Sequence, residues 1–322
     1  MNPGSRTPDT PVSLNTLRSA VSEAVRGAAD YTEKNPAGRG APSPVSSPSV
    51  NCRVCGGKGY LFDPLGAGRS KGAFTLCDCV RNATLCDGTP PYDYYDRERN
   101  AMLPCPSKPA RLALDGINYL RKRSGIPARY EWQFLENLIQ QNQREADANS
   151  DWLMAADAVR FMIADYMDKR EVRGIYLYGD TGCGKTLLSC AALNELIAHH
   201  RLPVKYAKIS RDVLGKLRAS FNPNSDFYGE GRKIEEELAS VTALVIDDIG
   251  VHRESDWVNS VLYDLIDARY EANLLTIITS NEPMDAWKDI AGGRVYSRLR
   301  QMCTECHIDA PDYRLRDSVS LT

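Results

Sequence analysis

"GIYLYGDTGCGKTLLSCAALNEL", residues 174–196, is the stretch whose reading decides the fold. It opens on a short apolar run, passes through a glycine-rich turn and continues into residues of helical character. Gly179, Gly184, Lys185 and Thr186 fit the spacing G-x-x-x-x-G-K-[ST]. A strand–loop–helix context is what gives that spacing meaning. Glycines let backbone N–H groups approach phosphates closely, and the helix that follows adds the positive end of its dipole. Lys185 brings a cation to the β- and γ-phosphates, and the Thr186 hydroxyl offers a ligand to Mg²⁺. Gly179, Asp180, Thr181, Gly182, Cys183, Gly184, Lys185 and Thr186 are therefore the expected ATP cradle.

Downstream, "VKYAK", "ALVIDDIG" and "LLTIITSN" are further short apolar runs separated by helical stretches. That alternation predicts an α/β domain with a mostly parallel sheet flanked by helices. In "ALVIDDIG" a buried strand delivers Asp247 and Asp248 at its C-terminal end, where open α/β sheets gather their ligands. Asp247 is expected to hold Mg²⁺ and Asp248 to polarise an attacking water. Asn281 ends "TIITSN" and is a candidate for positioning that water. "GRVYSRLR" sets Arg294 and Arg298 four apart on one helix face. In an ATPase that assembles with copies of itself, an arginine there reaches the neighbour's γ-phosphate. "PDYRLR" offers Arg314 as an intramolecular phosphate sensor.

Upstream the composition changes. Over 13–31, Leu14, Leu17, Val21, Ala24, Val25 and Ala28 recur at helical spacing, and a Pro-, Gly- and Ser-rich stretch follows. Residues 1–50 read as a helix and flexible linker, 51–123 as a cysteine-rich region, and 124–322 as the ATPase domain. Over 88–125 turns and a helix are expected. The cysteine-rich region carries "NCRVCGGKGY" (51–60) and "LCDC" (76–79) among few large apolar residues, so it needs a staple. Cys52, Cys55, Cys77 and Cys79 supply two close pairs of soft ligands, which is the pattern of a Zn²⁺ site, with Cys86 as an alternative ligand. "CTEC" (303–306) reads instead as part of a late strand, and Cys105, Cys183 and Cys190 are assigned no role.

The chain has 322 residues, 43% of them hydrophobic and 25% charged, as in ordinary globular proteins. Its opening residues lack the apolar core of an export signal, so a cytoplasmic location without membrane contact is expected. A net charge of −2 gives no global attraction to nucleic acid, so any such contact needs a local basic patch. "KYAKISRDVLGKLRASF" provides one: Lys205, Lys208, Arg211, Lys216 and Arg218, with Phe221 available for stacking on bases. A solvated amphipathic helix explains the same pattern equally well.

Taken together, these segments resemble one family, the DnaC/DnaI-type helicase loaders among the AAA+ ATPases, close kin of the IstB transposition helpers. The resemblance runs over about 124–316. "SGIPARY" (124–130) is similar to that family's leading segment. The stretch from Asp247 to Asn281, with Trp257, Arg269 and Tyr270, is similar to its region from the magnesium-binding strand to the first sensor. The resemblance implies an AAA+ three-layer α/β/α fold, with Arg298 as the arginine finger, Arg294 as its companion and Arg314 as the second sensor. It also implies partners: a DnaB-type replicative helicase, single-stranded DNA, and further copies of the chain in the ATP state. The cysteine-rich region then reads as a helicase-docking module. An IstB-like transposition helper is the alternative. In Asp247-Asp248 the second carboxylate is shorter than the glutamate usual in AAA+ proteins.

Overall fold

The computed structural model describes residues 52–63, 73–144, 149–168, 172–250 and 256–313. The helix expected over 13–31, the linker after it and Arg314 lie outside the described residues. The chain divides into two compact units. One holds the described residues up to Leu61 together with Phe74–Ala113; the other holds Phe62–Ala73 and the chain from Leu114 onward. The division falls inside the helix Lys108–Ser124.

The smaller unit is built from short pieces. Strands β1 (Tyr60–Asp63) and β2 (Ala73–Leu76) form a two-stranded sheet, and a single turn of helix, α1 (Asp78–Arg81), follows. A second hairpin pairs β3 (Asp93–Asp96) antiparallel with β4 (Ala101–Pro104), with Tyr95 opposite Met102. Sequence periodicity does not announce this hairpin, because "DYYD" and "AMLP" have four residues each, too few for a clear period of two. The helix Lys108–Ser124 (α2) follows. Most of the buried residues here are small or sulfur-bearing, Cys55, Cys77, Val80, Ala83, Cys105 and Ala110 among them, with Tyr60 and Tyr92 as larger buried side chains. So little apolar surface leaves the unit dependent on something other than hydrophobic burial.

The larger unit is a parallel five-stranded sheet in the order β6-β7-β8-β5-β9. The strands are β5 (Gly174–Gly179), β6 (Val204–Lys208), β7 (Ala243–Asp247), β8 (Leu275–Ser280) and β9 (Cys303–Ile308). β7 and β8 are buried at every position, as strands covered on both faces must be. Helices α4 (Ser150–Met167) and α5 (Lys185–His200) pack together against the sheet. On the other face lie α7 (Gly231–Ser240), α8 (Asp256–Glu271) and α9 (Arg294–Met302), whose Leu238, Leu262, Ile266, Val295 and Leu299 join Tyr176, Ile246 and Trp287 in one core. This is the three-layer α/β/α architecture. Before it stand a 3₁₀ turn at Ala128–Tyr130 and α3 (Leu135–Arg144). Asn194 of α5 holds that segment down, its Nδ2 donating to the carbonyls of Tyr130 (2.7 Å) and Gln133 (2.8 Å). Among the described residues no helix is long and apolar enough to cross a membrane.

Among the described residues, one charged side chain sits fully inside. Arg269, near the end of α8, is 0% exposed. Its Nε donates to Thr276 Oγ1 (3.0 Å), Nη1 to the carbonyls of Leu238 (2.8 Å) and Val241 (2.9 Å), and Nη2 to the Leu275 carbonyl (2.7 Å). One guanidinium thereby fastens α7, α8, β8 and the approach to β7 together.

The basic stretch after β6 is not one amphipathic helix. Ile209–Gly215 is a π-helical turn and a short helix, α6 (Lys216–Ser220), continues it. Such wide turns recur at functional sites.

Candidate nucleotide site and cysteine centre

The phosphate loop leaves β5 at Gly179 and enters α5 at Lys185. Gly184 takes φ +100°, and a Cβ there would stand 2.7 Å from Trp152 Nε1. Trp152 of α4 therefore backs the loop and fixes its path, a role with no sequence signal. Gly182, at φ +89°, has the Asp312 carboxyl packed directly against it, and its carbonyl accepts from Tyr313 N (3.3 Å). Tyr313 Oη in turn accepts from Asn142 Nδ2 (3.2 Å), and Asn149 Nδ2 donates to the Asp309 carbonyl (3.0 Å). The segment after β9 is thus strapped across the loop. The Lys185 ammonium is turned back on its own loop, donating to the carbonyls of Gly179 (2.7 Å) and Asp180 (2.8 Å). Cys183 Sγ lies 3.7 Å from the same ammonium.

Asp247 ends β7 and is 3% exposed. Three hydroxyls donate to it: Thr186 Oγ1 (2.8 Å) and Thr279 Oγ1 (2.8 Å) to Oδ1, and Tyr206 Oη (2.7 Å) to Oδ2. The structure therefore brings together the predicted magnesium ligands Thr186 and Asp247. Their hard oxygens on a strand end and a helix start suit Mg²⁺, which takes carboxylate and hydroxyl oxygens and keeps several waters. Tyr206 and Thr279 are additions that sequence reasoning missed; both hide inside apolar strands. Burial, and then the Asp247 charge, raise the Tyr206 pKa well above its ordinary value, so the phenol stays a donor. Thr279 Oγ1 also accepts from the Asp248 backbone amide (2.8 Å) and so ties the Asp247 carboxylate to the main chain of Asp248. Asp248 takes φ +61°, a left-handed conformation that aspartate tolerates better than most residues. Its Oδ2 pairs with Lys208 Nζ at 2.8 Å, and that hydrogen bond raises the Lys208 pKa. Asn281 follows β8 and is exposed.

Arg294 and Arg298 of α9 are held by neighbours on α8. Arg298 Nε pairs with Asp267 Oδ1 (2.7 Å), with the guanidinium 4.3 Å from the Tyr270 ring centroid. Arg294 lies over Tyr263 at 5.3 Å. Of the basic patch, Lys205 pairs with Glu237 (2.8 Å), Arg211 with its neighbour Asp212 (2.9 Å), and Lys208 with Asp248. Lys216 stands over Phe227 (5.9 Å), Arg218 over Trp257 (5.3 Å), and Phe221 is 74% exposed.

In the smaller unit, Cys52, Cys55, Cys77 and Cys79 converge with all four sulfurs within 4.8 Å of one another. Cys52 and Cys77 sulfurs are 3.8 Å apart and Cys55 and Cys79 sulfurs 3.7 Å. A tetrahedral ion with Zn–S bonds of about 2.3 Å requires sulfur–sulfur edges of about 3.8 Å. The single intervening residue of the second pair suffices because Cys77 is extended (φ −65°, ψ 147°) and caps α1, whose first turn carries Cys79. Gly59 N donates to Cys55 Sγ at 3.3 Å. The backbone amides of Cys55 and Val54 bring the Cys52 thiol down to about 7. Hydrogen bonds of this kind stabilise thiolates, the form that ligates metals.

Residues 156–320 match the family described as IstB-like ATP binding protein. The replicative helicase loader DnaC of Buchnera aphidicola subsp. Acyrthosiphon pisum is 31% identical over 124 residues, 38% of this chain and 48% of that protein. DnaC of Escherichia coli K12 is 30% identical over 122 residues, again 38% of this chain and 48% of the relative. The chain spans about half the length of the DnaC relatives it matches. Among solved structures, one described as DnaI superposes with a TM-score of 0.47 at 22% identity, covering 60% of this chain and 98% of that one. With the phosphate loop, the paired aspartates and the parallel sheet in place, the chain belongs to the IstB-like ATP binding protein family.

Proposed function

We propose that this protein is an ATPase that loads a DnaB-type replicative helicase onto single-stranded DNA. The observation that carries the nucleotide chemistry is the 2.8 Å bond between Thr186 and Asp247, which brings the two strand-end motifs together. Mg²⁺ bound there would neutralise charge on the β- and γ-phosphates. Lys185 leaves its loop carbonyls for the phosphates, Thr186 and Asp247 would hold the ion, and Thr279 and Tyr206 fix the Asp247 carboxylate. Asp248 polarises the attacking water, with Asn281 beside it. Arg314 senses the nucleotide within the chain, and Arg298 reaches the pocket of a neighbouring copy after releasing Asp267. Hydrolysis then reverses the assembly and frees the helicase. The 30–31% identity to DnaC proteins supports the cargo.

Zinc is the ion proposed for the cysteine centre, on the tetrahedral sulfur spacing and the all-thiol donor set. It would hold the docking unit folded, since that unit buries little else. Cys77→Ser is expected to remove the zinc found per chain by atomic absorption and to expose Tyr60–Ala113 to proteolysis, while ATP binding by the larger unit persists. Full retention of zinc would contradict the four-cysteine assignment.

Single-stranded DNA is assigned to Lys208, Arg211, Lys216, Arg218 and Phe221, at the π-helical turn. The Lys216→Glu, Arg218→Glu double variant is expected to weaken single-strand binding at low salt by tenfold or more, and to flatten its salt dependence. Unchanged affinity would remove this surface from the proposal.

The family match itself favours a second reading, an ATP-dependent transposition helper acting on duplex DNA. Capture of the host's DnaB-type helicase by the purified full chain, with and without ATP, separates the two. Nucleotide-dependent capture supports the loader. Failure to capture it in either state, with ATP-dependent assembly on duplex DNA instead, supports the helper.

A further inference from the structure

A second group of cysteines in the smaller unit is used by none of the chemistry above. Cys105 follows β4 and is 2% exposed. Cys86 lies in the loop after α1 and is partly exposed. Both sulfurs address one hydroxyl: Ser107 Oγ is 3.1 Å from Cys105 Sγ and 3.8 Å from Cys86 Sγ. Ser107 is itself fully buried, and Arg111 Nε donates to its oxygen at 3.1 Å. Leu85 N adds a backbone donor to Cys105 Sγ at 3.2 Å. The hydroxyl and amide thus aim donors at the Cys105 sulfur, which is how a protein stabilises a thiolate. Burial alone would raise the Cys105 pKa; the Ser107 hydroxyl and the amides of Leu85, Ser107 and Cys86 outweigh it and bring it down to about 7.

We propose that Cys86 and Cys105 are a redox pair that peroxide closes into a disulfide across the Ser107 hydroxyl. Cys86, the accessible member, meets the oxidant. Its thiolate sulfur attacks one peroxide oxygen, the O–O bond breaks, and a sulfenic acid and water result once the departing hydroxide is protonated. The Cys105 thiolate then attacks the sulfenic sulfur; the S–S bond forms, the S–O bond breaks, and hydroxide leaves and takes a proton to become water. In sum, two thiols and one hydrogen peroxide give one disulfide and two waters. Sulfenic acids condense with a neighbouring thiol in this way. Ser107 keeps the two sulfurs on one side of the turn and supplies a proton donor to the Cys105 thiolate until it reacts. The bond would tie the Leu85–Gly88 loop to the end of the β3–β4 hairpin. Exposed Leu85, Tyr95 and Met102 lie on those two pieces, so closure would stiffen them together.

The test treats the zinc-supplemented full chain with hydrogen peroxide at neutral pH, blocks residual thiols and digests without reduction. Trypsin leaves Cys86 on the peptide 82–97 and Cys105 on 100–111. The expected product is these two joined, lighter by two hydrogens and separated by reductant. Cys86→Ser abolishes it and leaves the other thiols titrating as before. Ser107→Ala, checked for folding by circular dichroism, slows it several-fold. Oxidation of Cys86 to sulfinic acid with Cys105 still free, or cross-links confined to Cys52, Cys55, Cys77 and Cys79, would overturn the proposal. Neither readout involves ATP or helicase, so this result stands apart from the loader reading.

Discussion

Arg269→Met is expected to lower the melting temperature of the larger unit by about 10 °C. The reason lies in what the side chain leaves behind. Three buried carbonyls and a hydroxyl, from Leu238, Val241, Leu275 and Thr276, all accept from this guanidinium. Methionine recovers part of the packing and none of the donors. An orphaned buried acceptor costs about 1–3 kcal/mol, so a total loss of about 3–5 kcal/mol is reasonable after relaxation. For a unit of this size each kcal/mol moves the midpoint by about 2–4 °C. Lysine should rescue little, because one ammonium cannot span the four acceptors that the planar fork reaches. A thermal melt followed by circular dichroism reads the result. A shift under about 2 °C would mean that the four acceptors find other donors and that Arg269 is not the fastener described.

Asp248→Asn should lower ATP turnover by about 10²–10⁴ while nucleotide affinity changes little, the range for losing a group that accepts a proton in the reaction. Asparagine keeps the size and tolerates the φ of +61° at this position, so the local backbone survives. The proposed magnesium ligands Thr186 and Asp247 are untouched, and on the proposal binding depends on them and on Lys185. Turnover and the dissociation constant of a fluorescent ATP analogue, measured on the same preparation, separate the two effects. Parallel loss of affinity would place Asp248 in binding. Unchanged turnover would remove it from the chemistry, and Thr279, which bonds the Asp247 carboxylate and the Asp248 amide, would then be the next residue to test.

Much of this site is legible from the chain alone, for a definite reason. Strands buried on both faces read as unbroken apolar runs, and glycine spacing at the phosphate loop is dictated by backbone geometry, so "GIYLYGDTGCGKT" and "ALVIDDIG" announce themselves. The supporting residues do not. Tyr206 and Thr279 look like ordinary strand residues until the β6-β7-β8 order sets them around Asp247. Trp152, Asn142 and Asp312 approach the phosphate loop from elements far apart in sequence, and no local pattern encodes such a meeting. The ion pairs of Lys208 with Asp248 and of Arg298 with Asp267 are equally non-local. The β3–β4 hairpin is hidden for the opposite reason: its strands have four residues each, too few for a periodicity to emerge. Cys105 gains its significance only from Ser107 and Cys86 beside it.

The central claim is that the pocket is finished by a second copy, whose Arg298 must let go of Asp267 to arrive. Mixing two inactive chains tests this most directly. Lys185→Ala has a dead pocket and an intact finger; Arg298→Ala has an intact pocket and no finger. Each alone should hydrolyse ATP at background rates on single-stranded DNA. The equimolar mixture should recover a substantial fraction of wild-type turnover, because some pockets then face a working arginine. A mixture that stays at background, although both chains are folded and co-assemble, would contradict the account.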